Sequence, residues 1–345
     1  MASIVLSRVG LAMSEALVAV RGRSLRVLTY HRVRDLRGAS PEELTGIERG
    51  VDLRAFEYQM RTLREKFNVV GPDHVEAWLH SKMDLPPRAT LVTFDDGYRD
   101  LFDNALPILK RYQVPAIVFL PSSYTGTQRL FWWDRLALSL RSLCRSLDDQ
   151  GWLDRECPPD VASSLRRIHV MRGGGKTSAI ESVANGLKSL APVHLEHLVE
   201  KLWVLAGSPS PSPSEYAVLS WDQVREMAKC GVSFGSHTAN HPILTAVDPD
   251  EAEREVRDSK RRIESELGRP VTAFCYPSGA YSNHLAQIVS RSGFACAFST
   301  ATGINRRGAD PFALKRVGVD GLPGHSFEVR LSDAYHQLRQ LVRRS

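Results

Sequence analysis

Short apolar runs alternate with longer amphipathic stretches along most of this chain. Residues 25–30, 91–94, 115–120, 271–275 and 294–299 are rich in β-branched and aromatic side chains and are bounded by turn residues, the pattern of buried strands. Between them the period lengthens. Asp52 precedes Phe56, Met60, Leu63 and Phe67 at helical spacing, and Ser220 with Gln223 makes a capping-box pattern. Asp248-Pro249-Asp250-Glu251 opens a charged helix that Gly268 closes, and Gly293 stops a helix over 284–292. Strand and helix in strict turn predict a parallel sheet covered by helices, either barrel or open.

One region breaks the rhythm. From Phe131 to about Tyr216 the pattern is helical without strands, and it ends in alternating Ser and Pro over 208–214. This reads as a helical insertion. Gly173-Gly174-Gly175-Lys176-Thr177 lacks both the preceding strand and the spacing of a phosphate loop, so it reads as a turn. His194 and His197, in the same stretch, have no carboxylate context and are assigned to its surface.

With 345 residues, 43% hydrophobic and 24% charged, the chain is long enough for one large α/β domain or two smaller ones. The net charge of +6 comes without aromatic-interleaved basic motifs, so no nucleic-acid partner is expected. Five scattered cysteines, none in a C-x-x-C, fit a reducing, cytoplasmic setting. Apolar residues over 4–20 are interrupted by Arg8, Ser14 and Glu15 and followed by Arg21, Arg23 and Arg26. Residues 1–24 are therefore expected to form an amphipathic helix packed on the domain. A second reading is weak attachment to the inner face of a membrane. Oligomeric state has no signature in the sequence.

The chemistry gathers where strands end. His31 follows residues 25–30, Asp95 and Asp96 follow 91–94, His237 and His241 follow 232–234, and Pro277-Ser278-Gly279 follows 271–275. In α/β barrels that end carries the reacting groups. One carboxylate and two imidazoles can hold a divalent metal with positions left open, and a second carboxylate beside them can serve as a base. Pro242 disfavours a helix through His241, so the histidine pair is expected on a turn.

Thr93-Phe94-Asp95-Asp96-Gly97, Ser236-His237-Thr238-Ala239-Asn240-His241 and Phe274-Cys275-Tyr276-Pro277-Ser278-Gly279 resemble the three motifs of the polysaccharide deacetylases, carbohydrate esterase family 4, with the NodB homology domain. The resemblance covers residues 25–130 and 217–325 and leaves 131–216 outside it. It implies a distorted (β/α) barrel of about seven strands, interrupted by the helical insertion. It also implies a divalent metal, commonly zinc, and removal of acetyl groups from an N-acetylated sugar or polysaccharide. By the same resemblance Asp96, His237 and His241 hold the metal, Asp95 is the general base, and the Ser278 N–H faces the oxyanion. Tyr30-His31-Arg32-Val33 is similar to the N-terminal histidine motif of a circularly rearranged branch that includes biofilm-exopolysaccharide deacetylases, which makes His31 the general acid.

The chain departs from that pattern in the third motif. Cys275 stands where the family carries arginine, and Ser278 where it carries tyrosine. Arg316, placed just after a strand over 312–315, is the candidate to orient Asp95 instead. His325 stands in for a late leucine-histidine motif. Trp132, Trp133 and Asp134 read equally as a platform for a sugar ring or as a buried hinge of the insertion. Two other functions stay open: a related amidohydrolase or deformylase acting on a non-polymeric amide, and an inactive carbohydrate-binding homologue.

Overall fold

The structure, a computed structural model, describes residues 23–37, 50–143, 176–209, 215–319 and 324–342, with Leu322 and a few positions between 159 and 166. The apolar runs become seven strands: β1 Ser24–Tyr30, β2 Ala89–Phe94, β3 Ala116–Leu120, β4 Ser233–Ser236, β5 Ala273–Cys275, β6 Cys296–Thr302 and β7 Leu314–Gly318. Each pairs in parallel with the next along the chain. β7 then pairs in parallel with β1, Val317 opposite Leu28, and this last ladder closes the barrel.

Strand alternation divides the core into two shells. Leu25, Val27, Leu91, Ile117, Phe119, Phe298 and Leu314 pack together in the barrel interior. Their neighbours Leu28, Tyr30, Val92, Phe94 and Val118 pack outward against helices. Gly235 on β4 makes room for this filling, because a Cβ there would lie 2.5 Å from the Phe119 ring.

The helices form where their caps predict. The Asp52 side chain accepts from the Arg54 and Ala55 amides at the start of Leu53–Lys66, which buries Phe56, Met60 and Leu63. The Ser220–Gln223 capping box opens Trp221–Lys229. Asp248 caps Pro249–Leu267, which ends at Gly268 in the left-handed conformation. The helical segment after Asp100 begins with a π turn, Leu101–Ala105, and continues as Leu106–Tyr112. Pro107, with no N–H to give, follows that switch directly.

Within residues 131–216 the structure describes the helices Trp132–Leu143, Lys176–Leu187 and Pro192–Leu205. They share a separate apolar cluster that includes Leu136, Leu140, Ile180, Val183, Leu198 and Leu202. His194 and His197 are exposed on the last of them. Residues 1–22, where the N-terminal helix was expected, and the glycines at 173–175 lie outside the described residues; Ser24 already belongs to β1. Among the described residues no helix is long and apolar enough to cross a membrane.

Candidate active site

A cavity of about 320 Å³ opens at the C-terminal end of the barrel, and the side chains predicted from the strand ends converge on it. His31, Asp95, Asp96, His237, His241 and Ser278 all line it. Four residues around it adopt left-handed backbone despite carrying side chains: Asp96 (φ 70°), Thr238 (66°), His241 (59°) and Ser278 (55°). Strain of this kind persists only where surrounding structure enforces it, and it concentrates at functional sites.

The enforcement is visible in the loop after β4. Glu255, buried on the helix Pro249–Leu267, accepts hydrogen bonds from the Ala239 amide at 2.8 Å, the Asn240 amide at 2.7 Å and the Asn240 side chain at 2.7 Å. The Thr238 hydroxyl accepts from the His241 amide at 2.9 Å. The loop is thereby wound so that His241 returns toward His237, on a turn rather than a helix.

Three donor atoms meet at this point. His241 Nε2 lies 3.2 Å from His237 Nε2 and 3.4 Å from Asp96 Oδ1, and His237 Nε2 lies 3.6 Å from the same oxygen. His237 Nδ1 faces the Cys275 carbonyl at 2.7 Å. A carbonyl can only accept, so Nδ1 donates and Nε2 presents its lone pair. Burial pushes the His237 imidazole down to about 4 and holds it neutral, although Asp95 opposes that shift. His241 is likewise held well below the usual imidazole range, first by burial and then by His237. Neutral imidazoles crowded against a carboxylate are poorly stabilised by each other and well suited to a divalent cation, so the residues present fit a metal.

Asp95, His237 and Cys275 form a second compact group, but it fits a metal less well. Burial raises the Cys275 thiol well above its usual range, so sulfur stays protonated and donates weakly to both Asp95 oxygens at 3.7 Å.

Asp95 is buried, and Arg316 meets it through two parallel hydrogen bonds, Nη1 to Oδ1 at 2.8 Å and Nη2 to Oδ2 at 2.7 Å. Burial pushes this carboxyl up, but the guanidinium outweighs it and leaves Asp95 below the usual carboxylate range. Arg316 lies within β7 rather than beyond it, correcting the placement from sequence. Alternation aims it into the barrel on the side of Leu314, where a lone arginine would be costly without its carboxylate.

His31, 44% exposed at its side chain, sits with Nε2 3.9 Å from Asp95 Oδ2. Its neighbour Arg32 is fixed by Asp100 at 2.6 Å and lies over the Tyr98 ring at 4.4 Å, which anchors the chain leaving β1. Ser278 occupies the turn Pro277–Gly279. Gly279 is required there, since its φ is +69° and a Cβ would lie 2.3 Å from the Thr300 amide. The side chain of His325 is outside the described residues.

The Trp132-Trp133-Asp134 alternatives are divided between residues. Asp134 is fully buried and accepts from the Tyr98 hydroxyl, while the Trp133 indole N–H donates to that hydroxyl at 2.8 Å. Trp133 also stands edge-on to His241 at 4.7 Å. Trp133 and Asp134 are buried against the barrel, and Trp133 and half-buried Trp132 both line the cavity.

Two side chains escaped the sequence reading. Lys188, just after the helix Lys176–Leu187, reaches the cavity from outside the barrel, which no local pattern foretells. Glu255 did leave a signal: a carboxylate within the stripe Ala252, Val256, Ser259 and Ile263 that its helix buries.

The sequence profile described as “Polysaccharide deacetylase” matches residues 82–155 and 195–297, about half of the chain and including all three motifs. The chain belongs to the polysaccharide deacetylase family. It is a hydrolase of that family, directed at linear carbon–nitrogen amide bonds. YxkH of Bacillus subtilis (strain 168) is 21% identical over 305 residues, 88% of this chain and 74% of that protein. The poly-beta-1,6-N-acetyl-D-glucosamine N-deacetylase of Staphylococcus epidermidis is 25% identical over 154 residues, 45% of this chain and 49% of that protein. Among solved structures, the Streptococcus pyogenes deacetylase PplD shares the fold with a TM-score of 0.59 at 20% identity, over 90% of this chain and 99% of that one. IcaB from Ammonifex degensii shares it with a TM-score of 0.57 at 21% identity, over 92% and 98%. Together they support the seven-stranded (β/α) barrel of this polysaccharide deacetylase.

Proposed function

We propose that the protein hydrolyses the N-acetyl group of an N-acetylated hexosamine within a saccharide, with Asp96, His237 and His241 holding a divalent metal, zinc by preference for this donor set. The observation that carries the reading is the meeting of Asp96 Oδ1 with two imidazole Nε2 atoms beside a second carboxylate clamped by an arginine. Poly-β-1,6-N-acetylglucosamine deacetylation, the activity named for the Staphylococcus epidermidis relative, supports the substrate class. When bound, the metal would polarise the amide carbonyl and make water more acidic.

The chain's own groups divide the proton traffic. Each Asp95 oxygen accepts one bond from Arg316 and keeps a second lone pair, so the carboxylate can take the proton of the attacking water while Arg316 fixes its plane. His31, open to solvent on one side, delivers a proton to the departing amine. The Ser278 N–H, set on its left-handed turn, faces the developing oxyanion. Trp132 offers an apolar wall on which a pyranose ring can rest.

The test is amine release from N-acetylglucosamine oligomers by metal-loaded protein, chelator-treated protein and Asp95→Asn. Release that depends on the metal is expected. Asp95→Asn should keep its metal and lose roughly 10²–10⁴-fold in kcat. Turnover that survives both treatments would overturn the reading.

A further inference from the structure

Lys188 is a cation at the cavity with few partners among the described residues. Its Nζ has one hydrogen-bond acceptor among the described residues, the Asn185 side-chain oxygen at 3.2 Å, although an ammonium carries three protons. It forms no ion pair with any described carboxylate, yet its side chain lines the cavity that holds Asp96 and the two imidazoles. Burial is the main influence on it and lowers its pKa, with the more distant Asp96 opposing. A bound divalent cation would neutralise Asp96 and remove even that compensation. Arg316 and Arg32, arginines at the same end of the barrel, are already committed to Asp95 and Asp100. An ammonium with unused protons at the cavity is a ready partner for a ligand that brings negative charge into it.

We infer that Lys188 and Trp132 form a subsite for an oxyanion, carboxylate or phosphate, carried by the sugar being deacetylated or by its immediate neighbour. The geometry suits such a ligand. Trp132 stands edge-on to Trp133 at 5.6 Å and presents apolar surface for a ring, while Lys188 supplies a flexible point charge on the same cavity wall. Both residues come from the helical segment rather than the barrel, so the segment selects the substrate and the barrel performs the chemistry. The inference rests on the deacetylase reading for the sugar but not for the charge.

Equilibrium binding separates the two. Metal-loaded protein is titrated with three probes: N-acetylglucosamine 1-phosphate, a disaccharide of N-acetylglucosamine and glucuronic acid, and neutral diacetylchitobiose. At least one anionic probe should bind tenfold or more tighter than the neutral one. Lys188→Gln should collapse that ratio, and Lys188→Arg should retain most of it. The phosphate and glucuronate arms distinguish which oxyanion is favoured. An anion that merely reaches the metal would bind Lys188→Gln as tightly as the parent, and that result overturns the subsite. Equal binding of all three probes overturns it too. If the ratio behaves as expected but no amine is released from any of them, the deacetylase reading fails and the oxyanion site stands.

Discussion

Arg316 grips Asp95 with both terminal nitrogens across 221 residues of sequence, from the inward face of the last barrel strand. The third motif, where the family's arginine would sit, instead offers the Asp95 oxygens a neutral thiol from Cys275. Here the guanidinium comes from β7 and meets the carboxylate in a planar two-point contact.

Removing that guanidinium leaves a buried carboxylate uncompensated. Arg316→Met is expected to cost about 3–5 kcal/mol of stability in urea unfolding. Arg316→Lys keeps a charge but only as a single point, so it should be less destabilised and still lose turnover. If Arg316→Met unfolds at the urea concentration of the parent, the pair has no structural role.

His31→Ala separates a proton donor from a histidine that merely finishes a strand. An amide expels a poor leaving group that needs a proton, whereas an activated ester does not. The variant should lose on the order of 10²-fold or more on an N-acetylated sugar and far less on a p-nitrophenyl ester. Equal losses on both substrates would take His31 out of the reaction.

Glu255→Gln tests whether the wound loop after β4 sets the metal site. Glutamine can offer its carbonyl to some of the three donors, but its amide protons oppose the others. Metal affinity, read by competition with a chromophoric chelator, should fall about 10–100-fold while circular dichroism is kept. An unchanged affinity would mean that Thr238 and the backbone hold His241 unaided.

Much of the site was legible because it lies where strands stop. Parallel strands buried on both faces read as largely apolar runs, so Asp95 and Asp96 after Ala89–Phe94 were conspicuous, while His237, after the short strand Ser233–Ser236, stood out through its pairing with His241. Arg316 was placed past its strand because a charged pair, Lys315-Arg316, looks like a strand end. Only barrel closure reveals that one side chain faces in and the other out. The anchoring of Trp133 and Asp134 to the barrel depends on Tyr98, which local sequence does not link to them. Lys188 depends on how a helical segment folds back over the barrel, and no periodicity encodes that. Glu255 was readable, as a carboxylate in an apolar stripe.

The closing ladder between β1 and β7 has a consequence for the nascent chain. Asp95 leaves the ribosome 221 residues before Arg316, on the order of 10–40 s at ordinary elongation rates. Until then the half-made sheet has an open edge and an acid awaiting its cation. A truncated product can hold the metal-ligand motifs and still have no clamp on Asp95. The last strand therefore completes two things at once, the closing ladder with β1 and the clamp on Asp95, and a chain that stops short of residue 316 can form neither.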